Sequence, residues 1–358
     1  MKRRIALWMA VVMLFCAAVP QGVLAGEYAG GRNAVGSSLE MDPGGESAGD
    51  GLGRMDVQFG KDFYVLDPVA ARGGVSFTED QLLRFLKKYD RDGHYILDKQ
   101  RRRGGRILSW FSPGSKMVSE GLEVAVHEET HGYSFQDYPW WSGAQGESIY
   151  TGNQKKIDVR YTKVYRSREM ARTIPASLRT ERYDLYVGNP TANLASDVNG
   201  AYGLLNEFTA YYWGMHTIMS LKPYFEKNAR KPSDWNVYLH SGSNDRMAYA
   251  EFRFYILEYL YYAKKHYPQI YNGIMNNKNF VKAFQTIDKK FIRQNKAYER
   301  QLKRLVKYYN KKGIWSEIRG DFIFLGGSGV GIRTSSYNKL MKEMKKKKYQ
   351  PILKILKG

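Results

Sequence analysis

Two short stretches, VAVHEETHGY at 124–133 and LLNEFTAYYWG at 204–214, constrain this chain more than any other feature. His127 and His131 stand four residues apart, so on a helix both imidazoles project from one face and can grip a single metal ion. Glu128, next to the first histidine, is placed to take a proton from a metal-bound water. A catalytic zinc site commonly has three protein ligands and a water, which leaves one ligand to find. The second stretch offers Glu207, which follows Asn206 in a strongly helical pattern. Gly203, Tyr211 and Gly214 stand at minus four, plus four and plus seven from it and share its face, with Ala210 flanking. Small residues there let another helix approach closely, as a shared metal requires.

HExxH at 127–131 with an Asn-Glu pair on a later helix resembles the gluzincin group of zinc metallopeptidases. The resemblance covers these two segments only. It implies one Zn2+ held by His127, His131 and Glu207, with Glu128 as general base for hydrolysis of a peptide or protein substrate. It also implies a donor for the developing oxyanion, for which Tyr211 and His240 (in YLHSGSND) are the candidates. His216, nine positions past Glu207 and nearly opposite it on the helix, reads as structural. The chain departs from the group in three places. Glu129 stands inside the motif where members usually carry uncharged residues, although at i+2 from His127 it points away from the histidine face. Tyr211 occupies the place of an aspartate that supports a zinc histidine in thermolysin-like members. The separation of His131 from Glu207 also exceeds that of the compact thermolysin-like arrangement.

The chain has 358 residues, enough for a domain with a real core. It opens with Lys2-Arg3-Arg4, an apolar run from Ile5 to Val19 and the small-residue pattern Val23-Leu24-Ala25. We read residues 1–25 as a secretory signal cut after Ala25, the alternative being an uncleaved anchor. Cys16 is the only cysteine, so disulfides play no part in the mature chain. No second apolar run is long enough to cross a bilayer, and we expect a secreted product without stable membrane insertion. The formal charge is +21; removing the three Lys/Arg of residues 1–25, which hold no acid, leaves +18. Such a charge favours an anionic cell-surface polymer, lipid surface or acidic substrate. No nucleic-acid motif is present, and nucleic acid is not expected as a partner.

Residues 26–55, rich in Gly and Ser, read as a flexible linker, and 56–358 as the metallopeptidase-like domain. The expected class is α+β, mainly α: a small sheet with the HExxH helix over 56–195, then a helical half over 196–358. FYVLDPV at 63–69 reads as a strand. Thr78 with Gln81 forms a capping box for a helix to about Tyr89. DRDGHYILD at 90–98 echoes a calcium loop but lacks its closing glutamate, and reads as an Asp-Gly turn. GRILSWFS at 105–112 reads as a strand, by resemblance the edge bordering the cleft. Pro113-Gly114-Ser115 would start the first metal helix, and Gly132 would let the chain turn away after His131. Residues 136–156 read as irregular, 157–165 and 182–188 as strands. Helices are expected from Asn199-Gly200 to about Ser220, over 247–267 and over 279–311. Gly326 to Gly331 reads as a flexible turn, because its glycines fail the dinucleotide spacing. The basic segment 339–358 reads as partly helical, with a solvated lysine face. Two other functions fit the same residues: a non-catalytic secreted binding protein on this scaffold, and a zinc amidase acting on cell-wall peptides.

Overall fold

In the computed structural model, residues 75–357 are described, apart from 113, 116–118 and 141–142. The expected signal, linker and first strand, and the start of the domain near Asp56, lie outside the described residues. The architecture is mainly helical, with a two-stranded and a three-stranded antiparallel sheet and a helical C-terminal half. Two helices lead in, α1 (Glu79–Tyr89) and α2 (Arg91–Arg102). The capping box at Thr78 and Gln81 forms as expected, each side chain meeting the other residue's backbone N–H.

The segment read as an Asp-Gly turn is instead the start of α2. Asp90 is its N-cap, with Oδ1 accepting from Gly93 N at 3.0 Å while Oδ2 accepts from Thr217 Oγ1 at 2.6 Å. Asp followed closely by Gly suits a turn and a helix cap equally, and the buried partner on a distant helix decides between them. His216 also reaches Asp90, at 3.4 Å, and meets Gln294 at 3.1 Å, which makes it a tie between helices. GRILSWFS is likewise not a strand. Ile107–Trp110 forms a 3-10 turn, with Ile107 and Phe111 buried in the core, so no sheet edge exists at this point.

Helix α3 (Leu122–Gln136) carries the HExxH motif. It begins after Gly121, whose φ of +82° suits glycine, and so later than Pro113-Gly114-Ser115 suggested. Gly132 does not end it. The helix runs on to Gln136, and a Cβ at Gly132 would meet the Gln100 side chain at 3.2 Å, so this glycine allows α2 to lie close.

Part of the stretch read as irregular is β1 (Gly146–Gly152), paired antiparallel with β2 (Lys155–Arg160), which is shorter than the strand expected over 157–165. The hairpin packs its first strand against α3. Asp92 pins it by accepting from Asn153 N at 2.7 Å and from Tyr150 Oη at 2.6 Å. The expected strand at 182–188 is a π-helical turn, Asp184–Gly188.

After a single turn, α4 (Ala195–Val198), comes α5 (Gly200–Ser220), with the bounds expected from sequence. Only His216, Met219 and Ser220 in α5 reach solvent even partly. A helix apolar on all sides belongs at the centre of a fold, and α5 packs against α3, α7 (Asn236–His266) and α9 (Lys278–Lys311). Between them lie α6 (Lys222–Asn228) and α8 (Pro268–Met275). Helix α7 starts earlier than the pattern at 247–267 indicated and takes in His240. In α9, Phe284, Ile287, Phe291, Leu302, Leu305 and Tyr309 are buried at helical spacing. Phe208 of α5 meets Phe284 and Phe291 at ring separations of 5.7 and 5.4 Å, aromatic contacts that add to area burial.

The chain closes with β3 (Ser316–Arg319), β4 (Phe322–Leu325) and β5 (Ser328–Gly331), then α10 (Thr334–Glu343) and α11 (Gln350–Lys357). The glycine run at 326–331 is thus a hairpin turn at Gly326-Gly327 followed by a strand. Among the described residues, no helix is long and apolar enough to cross a membrane.

Candidate metal centre

Helices α3 and α5 lie side by side, and their shared interface carries the site. His127, Glu128 and His131 are all buried, and one donor atom from each lies within 4.8 Å of the others, an arrangement that can hold a metal ion. The two Nε2 atoms are 3.2 Å apart. Glu207 Oε2 comes in from α5 at 3.5 Å from His131 Nε2 and 3.9 Å from His127 Nε2. Ligand atoms bound tetrahedrally at 2.0–2.2 Å stand about 3.3–3.5 Å apart, close to this triangle. Two carboxylates, Glu128 and Glu207, thus stand by the imidazole pair; the Glu207 oxygen matches the tetrahedral edge to His131 and lies about 0.4 Å beyond it from His127.

The remaining atoms of His131 are oriented by a chain that the sequence did not disclose. Asn206 Nδ2 donates to Glu147 Oε2 of β1 at 2.6 Å, which turns its Oδ1 towards His131 Nδ1 in a short hydrogen bond. Because that amide oxygen can only accept, Nδ1 carries a proton and Nε2 is the ring nitrogen turned towards His127 and Glu207. Glu147 is fully buried, and burial pushes its carboxyl up to about 8, against the opposing pull of Asn206 and His131. Its neighbour in sequence is Gly146, in a segment that gave no metal-site signal. Only the third dimension joins it to Asn206. Replacing Asn206 by Ala should weaken metal affinity about 10–100-fold while the helix content is unchanged, as read by chelator competition and circular dichroism.

Charge shapes the two imidazoles differently. Burial, then His131 and Arg182, push His127 well below its ordinary value, so it is neutral and ready to donate a lone pair. For His131 burial also pulls downward, but the Glu207 carboxylate outweighs it, with help from Glu128 and Asn206, and holds the imidazole at about 9. The site without metal thus holds a proton on His131 at neutral pH, and an arriving cation must displace it. Raising the pH removes this competitor. Metal affinity should therefore climb about tenfold per unit from near pH 7 and level off near pH 9, measured by chelator competition. A flat profile would contradict this electrostatic account.

Tyr211 stands one turn past Glu207, its ring edge-on to His127 at 4.3 Å. Its Oη accepts from Arg182 Nε at 3.0 Å and lies 3.4 Å from Tyr186 Oη. Burial raises the phenol and Glu207 adds to that, while Arg182 opposes, so the hydroxyl keeps its proton and can donate it. Arg182 was missed in the sequence because it lay in a segment read as a strand. It is 1% exposed and is locked by Glu251 Oε2 at 2.6 Å and Asn244 Oδ1 at 2.6 Å.

Glu129 turns away from the cluster to accept from Trp110 Nε1 at 2.9 Å, and burial holds its carboxyl up. His240 lies outside the cluster that can hold a metal; burial and then Arg333 hold its imidazole below the ordinary value. Comparisons with protein-family models, with curated proteins and with solved structures each found no match.

Proposed function

We propose that this chain is a zinc-dependent metallopeptidase of gluzincin type, exported by the segment read as a signal at 1–25. The observation that carries the reading is the triangle of His127 Nε2, His131 Nε2 and Glu207 Oε2, at 3.2–3.9 Å and buried between two helices. Two imidazoles, once His131 has given up its proton, and one carboxylate are a donor set suited to zinc. When bound there, zinc supplies a Lewis acid that acidifies water and polarises a scissile carbonyl.

The protein's own groups do the rest. Glu128, adjoining a ligand and buried, takes the proton from the attacking water and passes it to the leaving amine. Tyr211 donates its hydroxyl proton to the developing oxyanion; Arg182, occupying an Oη lone pair, fixes the direction of that donation. Asn206 and Glu147 keep His131 in the tautomer that ligates. His240, away from the cluster, is the weaker candidate for oxyanion donor.

The test is cleavage of an unfolded protein substrate by purified chain, then by the same chain stripped with a chelator and reloaded with zinc. Activity should vanish on stripping and return on reloading. A zinc-loaded chain that cuts neither unfolded protein nor cell-wall peptide would instead fit a binding protein on this scaffold.

A further inference from the structure

Far along the chain from the metal centre, the end of α9 and the β3–β4 hairpin gather most of the exposed apolar surface. Six large apolar side chains are exposed among the described residues, and four of them, Tyr308, Trp315, Ile318 and Phe322, fall in this one segment at 40–53% exposure. Single exposed apolar residues need no explanation, whereas a cluster does. Phe324 links two of them, with its ring 5.8 Å from Trp315 and 6.0 Å from Phe322. Gly329 stands opposite Phe324 and leaves room for its ring, which a Cβ there would meet at 2.9 Å.

The pairing also shows the shape of the tip. Ile318 is opposite Ile323 and Arg319 is opposite Phe322, so Ile318 and Phe322 point to opposite faces of the ribbon. Ile318 shares its face with the buried Ile323, and Phe322 shares the other with the Arg319–Glu317 ion pair, so each side of the hairpin end exposes one large apolar side chain. A polymer strand lying on a sheet needs one matching face, but a fluid apolar medium can take a two-sided tip. Behind the tip the charge is of one sign: from Arg300 to Lys312 the chain has six Lys or Arg and no Asp or Glu. Lys311 and Lys312 are exposed at the helix end, with Lys312 Nζ 4.5 Å from the Tyr308 ring centroid, and Arg319 lies over Phe324 at 5.3 Å.

We infer that the β3–β4 hairpin docks the protein on an anionic lipid surface. The tip residues Ile318 and Phe322 enter the interface together with Trp315, and the cations of the α9 end face the headgroups. Aromatic side chains at headgroup level and basic residues beside them are the two elements such a contact uses. The contact is peripheral, and it needs no membrane-crossing segment.

Hydrogen exchange of the full chain with added vesicles reads this segment directly, whatever other regions do. Phosphatidylcholine vesicles with about a quarter phosphatidylglycerol should slow exchange at the tip, residues 318–322, and about 0.5 M salt should reverse it. In Lys311→Glu/Lys312→Glu the vesicle concentration for half-maximal protection should rise about tenfold. In Trp315→Ser/Phe322→Ser the protection should disappear, with zinc content and thermal midpoint held, since both side chains are surface residues. Unchanged tip exchange with vesicles would overturn the inference, as would equal protection by pure phosphatidylcholine. Protection of the tip by a soluble anionic polymer in the absence of lipid would overturn it too, assigning the patch to that polymer.

Discussion

Glu128→Gln should lower peptidase turnover by about a thousandfold or more while leaving the zinc content at one ion per chain. The two side chains have the same shape, so the buried packing of α3 is kept. What is lost is the carboxylate's ability to accept a proton beside the metal position. His127 and His131 remain in place on the same helix, and Glu207 on α5 is untouched. Metal analysis and steady-state kinetics on the same sample separate the outcomes. Full activity in the variant would remove Glu128 from the chemistry; loss of zinc would make it a ligand in place of Glu207.

Gly203→Ala should be among the most damaging single changes away from the metal ligands. A Cβ at Gly203 would fall 2.1 Å from the carbonyl oxygen of Ala195 and 2.7 Å from Ser196 Cα, both backbone atoms that cannot rotate aside. The α4–α5 junction would have to open, one turn before Glu207. Overpacking of this kind costs about 1–3 kcal/mol and more where only backbone can yield, so we expect about 3 kcal/mol or more, measured by denaturant unfolding. Because the shift falls on α5, zinc affinity should fall along with stability. A variant as stable as the parent would mean that the junction is looser than the packing shows.

Much of the helical part was legible in the sequence, for identifiable reasons. The bounds of α5 followed from Asn199-Gly200 and a strongly helical pattern after it, and the start of α1 from a capping box whose hydrogen bonds form. The HExxH cluster was visible because its spacing is local to one helix. The sheet was not. GESIYTG, flanked by glycines, gave little strand signal, and GRILSWFS gave a false one, since its apolar residues serve a 3-10 turn as readily as a strand. Asp90 showed a cap and a turn in the same letters. Glu147 and Arg182 had no signal at all. Their roles arise from partners at separations of 59 and 29 residues, Asn206 and Tyr211, and no local spacing encodes such a meeting.

The convergence of α3 and α5 on one cation is the central claim, and metal content tests it most directly. Purified parent chain, His131→Ala and Glu207→Ala are dialysed against the same limiting zinc and assayed for bound metal, with circular dichroism on each. The account predicts one zinc ion per chain in the parent and nearly none in either folded variant. Parental zinc in folded Glu207→Ala would contradict it, because the third ligand would then lie elsewhere.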